Sequence, residues 1–133
     1  MCYHVLVGAE TDRFQLRAAL AADGLLDTEQ PPNGLAAQRF PAMDAVVSVT
    51  FEGCSCALLE SPLAGKVSRQ HKTERDAFFA ALTRATVRFG SIRLLVLGSE
   101  GSPELAVHRE GTTTLSQLLA SRRPQAGLMQ VVA

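Results

Sequence analysis

Tryptophan is absent from this chain, tyrosine occurs once, and aromatic residues fill only 5% of its 133 positions. So few rings leave little on which nucleic-acid bases could stack. The sequence pI of about 6.8 also falls short of the basic footprint expected of a nucleic-acid binder. Nucleic acid is therefore not an expected partner. No apolar run approaches the ~20 residues that a membrane-spanning helix needs. The opening MCYHVLVGAETDR has no basic segment and no small-residue cleavage site before its apolar run ends. Neither a membrane partner nor a secretory signal is expected from it. Cysteine is scarce and odd in number, at three. Cys54 and Cys56 stand too close in sequence for an unstrained mutual disulfide. A reducing, cytoplasmic setting is the expectation.

What is present is ordinary for a globular protein: 47% apolar and 20% charged residues, in a length that suits one domain. Residues 1–133 are thus expected to form a single α+β domain. Formal net charge is zero but unevenly spread. Residues 1–65 hold eight acids and three bases, whereas residues 66–93 hold seven bases and two acids. The asymmetry suits a small-molecule or anionic ligand between Lys66 and Arg88. It equally suits two faces that attract each other, within the fold or across a homodimer.

The elements can be read in order. Residues 3–8, YHVLVG, form a short apolar, β-branched run ended by glycine, a buried strand. Thr11 or Asp12 can cap the helix that follows, since their oxygens accept bonds from free first-turn N–H groups. Phe14, Ala18, Ala21 and Leu25 fall on one face of that helix, with Leu16 and Leu20 as a second ridge. Residues 26–35 read as a loop, with two prolines and Asn33-Gly34. Residues 45–52, AVVSVTFE, are the clearest strand, with Val47, Val49 and Phe51 on one face. A tight turn near Gly53 would make residues 45–60 a β-hairpin.

Residues 61–72 read as loop. Thr73 to Asp76 has capping-box spacing, and Phe78, Leu82, Ala85 and Phe89 then mark an apolar helical stripe ended by Gly90. Residues 92–98, IRLLVLG, are a strand, GSEG a turn rather than a phosphate loop, and residues 104–109 its hairpin partner. Thr114 to Gln117 is a second capping box, opening a short helix that Pro124 stops. Residues 127–133 would be a last strand or a docked tail. The order β-α-β-β-α-β suits a ferredoxin-like split βαβ sandwich with a C-terminal β-α-(β) extension.

The chemistry-bearing stretch is GCSC. In extended chain a Cys-x-Cys pair points both sulfurs the same way. Thiolates hold zinc or copper(I), but a structural zinc wants four ligands. Cys2 and His4, or His71, would complete a set with Cys54 and Cys56. Against this, the expected hairpin sets Gly8 near Cys54 and Cys2 near Glu60, roughly 13–20 Å between the two pairs. Thiol-redox chemistry would need one low-pKa cysteine, with Lys66, Arg69, His71 and Lys72 as cationic neighbours. The dithiol spacing is not the usual Cys-x-x-Cys. No Ser-His-Asp or G-x-S-x-G arrangement is present, and no base or oxyanion constellation accompanies Cys2 as an N-terminal nucleophile. His4 and His108 read as packed or surface residues. The leading expectation is a cytoplasmic binding or self-association domain, a homo-oligomer that needs no cofactor. The rival is a metal or thiol protein built on Cys54 and Cys56.

Overall fold

A computed structural model of the chain describes residues 3–22, 24, 26–29, 40–50, 69–98, 110–121 and 127–133. In chain order these form β1 (Tyr3–Ala9), α1 (Arg13–Leu20), β2 (Asp27–Glu29) and β3 (Ala45–Thr50). There follow α2 (Arg69–Phe89), β4 (Ser91–Gly98), β5 (Glu110–Thr114), α3 (Leu115–Ser121) and β6 (Gly127–Val132). The fold is mixed α+β, with a six-stranded sheet in the order β2-β3-β1-β4-β6-β5. All neighbours are antiparallel except β5 and β6, which run parallel and are joined through α3. Among the described residues, no helix is long and apolar enough to cross a membrane.

β1 lies inside the sheet, with Leu6 opposite Ser48 on β3 and Leu95 on β4. Strand alternation sends its odd positions to one face and its even positions to the other. Val5, Val7 and Ala9 join Val47, Val49, Ile92, Leu94, Val96 and Val131 beneath the helices. There they meet Leu16 and Leu20 of α1, Phe78 and Leu82 of α2, and Leu118 of α3. Leu6, Val46 and Leu95 bury against Phe40 on the opposite face. Both faces of β1 are therefore apolar, which is why YHVLVG shows no polar alternation.

The helices begin and end for local reasons. Asp12 caps α1, its Oδ1 accepting a 2.8 Å bond from the Gln15 amide. The expected box at α3 is formed in both directions. The Gln117 amide donates to Thr114 Oγ1 at 3.1 Å, and the Thr114 amide to Gln117 Oε1 at 3.3 Å. Gly90 ends α2 at φ +81°, a left-handed conformation that costs glycine least. Thr86 is wholly buried in α2, yet its hydroxyl donates to the Leu82 carbonyl at 2.7 Å.

Several expectations are corrected. Residues 27–29 are not loop but strand β2, held to β3 by backbone pairing that the polar sequence DTE does not advertise. The strand beside β1 is β3 itself, with Gly8 opposite Val46, rather than the second arm of a 45–60 hairpin. Residues 51–60 lie outside the described residues. On α1 the leading stripe is Leu16, Ala19 and Leu20, while Phe14 is 80% exposed. The helix stops at Leu20, so Ala21 and Leu25, the later members of the Phe14 stripe, fall beyond it. α2 starts at Arg69 rather than Thr73, because Arg69, Gln70 and Lys72 are themselves good helix formers. Finally, β6 fills the position beside β4 where residues 104–109 were expected. Those residues lie outside the described ones.

Candidate functional site

The residues singled out from sequence fall in different places. Cys2, Cys54 and Cys56 lie outside the described residues. His4 lies in β1, opposite Leu97 of β4. His71 lies in the first turn of α2 rather than in a loop able to fold back over a hairpin. The antiparallel pairing of β1 with β3 brings the start of β1 and the end of β3 to the same end of the sheet. The pairing that had held Cys2 and Cys54 apart is therefore not the one observed. Among the described residues, no three His, Cys, Asp or Glu side chains group as a metal set.

Two arginines of the basic stretch bind α1. Arg84 Nε donates to the Ala19 carbonyl at 3.1 Å, and Arg88 hydrogen-bonds Gln15 Oε1. Arg88 also lies 5.6 Å from the ring centre of Phe89. These arginines fasten α2 to α1. Arg75 is buried in the same helix.

The polar feature that sequence reading passed over lies on the sheet face away from the described helices. One row of residues crosses five strands: Val46 on β3, Gly8 on β1, Arg93 on β4, Gln130 on β6 and Thr112 on β5. Gly8 makes room at its centre. A Cβ there would meet Phe40 Cδ1 at 2.4 Å, closer than real side chains approach. The turn from Pro41 to Asp44, closed by a 2.9 Å backbone bond, carries Asp44 back over the same glycine. Arg93 Nη1 donates to both carboxylate oxygens of Asp44, at 3.0 and 2.9 Å.

The pair is asymmetric in exposure, the Asp44 side chain 1% and the Arg93 side chain 25%. The carboxylate is hidden, while the Arg93 side chain keeps a quarter of its surface exposed. Arg93 also lines a cleft of about 360 Å³, with Gly111, Thr112, Leu128 and Gln130 among the described residues. The Arg93 side chain makes no hydrogen bond besides those to Asp44 among the described residues, and the side chains of Thr112 and Gln130 make none. The cleft thus gathers a cationic fork, a carboxamide, a hydroxyl and an apolar wall, with bonding capacity unspent.

Two signals for this site were in the sequence. Arg93 is a charge inside the otherwise apolar IRLLVLG, and a buried strand keeps a charge only with a partner. Gly8 follows an apolar strand, where glycine often marks a close approach of another group. Gln130 and Thr112 carry no comparable mark.

Comparison with known proteins finds no matching family model, no similar curated protein and no matching solved structure.

Proposed function

We infer that this chain is a binding domain whose working surface is the sheet face away from its described helices. The observation that carries this reading is the Arg93 cleft, where unspent donors and acceptors converge beside an apolar wall. Ligand sites commonly use a few convergent polar groups in a concavity to fix orientation. The rest of the architecture supports it. The described helices all pack on one face, and the Arg93 row lies on the other.

Within this reading, β1 to β4 with α1 and α2 form a ferredoxin-like split βαβ unit. Its support is the order β2-β3-β1-β4 with every neighbour antiparallel. β5, α3 and β6 extend that sheet and complete the cleft. A fold of this kind hosts many functions and licenses none by itself. The domain is placed in a reducing cytosol, on its three thiols and odd cysteine count.

The test is a fragment screen on the labelled full chain, read by amide chemical shifts. Perturbations clustered on Arg93, Gly111, Thr112 and Gln130 are expected. Hits confined to α1 and α2 would refute the reading.

Self-association is a second reading, favoured by β5. Among the described residues this strand pairs only with β6, and its segment Gly111 to Thr114 carries no charge. An edge strand with an uncharged stretch offers a template for a second copy. Light scattering across micromolar concentrations should show a dimer, and a strict monomer would exclude it.

A further inference from the structure

We propose that the Arg93 cleft takes a small monocarboxylate, its carboxylate on the free edge of the guanidinium and its apolar tail against Leu128. This rests on the binding-face reading above and names the ligand class.

The argument begins with charge. Arg93 brings one positive charge, and the hidden Asp44 carboxylate already balances it through Nη1. Arg93 and Asp44 together are neutral when the cleft is empty. A monocarboxylate raises it to one net negative charge, with the two anions on different edges of the same guanidinium. A phosphate dianion would leave two net negative charges beside a buried carboxylate, in a cleft with no second cation among its described lining residues. Like charges brought together away from water repel strongly. The balance therefore disfavours phosphate.

Geometry points the same way. With Nη1 turned to Asp44, the Nε and Nη2 edge of the fork remains. Two parallel N–H donors match the two oxygens of a planar carboxylate. Asp44 fixes the fork, so little rotamer freedom is lost when the ligand binds. The cross-strand register sets Gln130 beside Arg93 and Thr112 beyond it, so both can donate to the outer oxygen. Leu128, a half-buried residue next to the Leu6–Leu95 cluster, supplies the apolar wall. The volume of about 360 Å³ lies at the small end of ligand pockets, suited to a few-carbon acid.

The experiment titrates the labelled full chain with butyrate, butyramide and inorganic phosphate at constant ionic strength. Saturable shifts at Gly111, Thr112 and Gln130 are expected with butyrate, and much weaker ones with the other two probes. Two variants preserve the Asp44 pairing and so the fold. Gln130→Glu places an internal carboxylate against Arg93 and should weaken butyrate by about tenfold or more. Arg93→Lys keeps the charge, loses the fork, and should weaken it as well. Equal response to butyramide, or stronger response to phosphate, would overturn the carboxylate class while leaving the binding face standing. Absence of any saturable shift, or full binding by Gln130→Glu, would overturn the proposal outright. The fragment screen then decides the face independently.

Discussion

Asp44 reaches over Gly8 to set its carboxylate 2.9 Å from Nη1 of Arg93, joining the turn before β3 to the middle of β4. The two partners differ in exposure, and so should the consequences of losing each. Arg93→Ala leaves a buried carboxylate with no cation, a change that costs about 3–5 kcal/mol. Asp44→Ala leaves an arginine that already touches solvent, and should cost about 1.5–3 kcal/mol. Urea unfolding of the two variants checks the order. Equal losses would mean that the pair contributes only through its shared contacts.

Gly8→Ala should destabilise through crowding rather than backbone strain. Phe40 must leave its seat to admit the methyl group, at a cost of about 1–3 kcal/mol. Gly8→Ala combined with Phe40→Leu should recover part of that loss, and a thermal melt series measures it.

Two phenylalanines make a paired test of the core. Phe78 is fully buried, and Phe78→Ala should cost about 3–5 kcal/mol. Phe14 is exposed, and Phe14→Ser should change stability by no more than about 0.5 kcal/mol. Denaturant midpoints would show the contrast. A large loss from Phe14→Ser would restore the stripe that periodicity first suggested.

The cysteine question is decided by composition. Tag-free protein purified without chelator should carry no stoichiometric zinc or copper, and Cys54→Ala should shift stability by about 1 kcal/mol. One equivalent of metal, lost in Cys54→Ala, would instead make metal binding the domain's chemistry.

The sequence was most legible where a local rule decided the structure. Asp12 caps α1, Thr114 and Gln117 form their box, Gly90 closes α2, and the Phe78–Leu82–Ala85 stripe is buried. Each rests on contacts within a few residues. It was least legible where strands choose distant partners. DTE has no β-forming pattern, and only its pairing with β3 makes it a strand. The placing of β6 between β4 and β5 depends on all three at once. The Arg93 row escaped for the same reason, since its members come from five strands and share no spacing. Charge asymmetry was visible, but not that Arg84 and Arg88 would be engaged by α1.

That row also says when the cleft comes into being. Gly8 waits for Arg93, and Arg93 for Gln130, so the row closes only when β6 has joined the sheet. No stretch of this chain that stops short of β6 completes the cleft. Binding there would draw on β1, β4 and β6 at once, and whatever fills the cleft should raise the melting temperature of the whole sheet together.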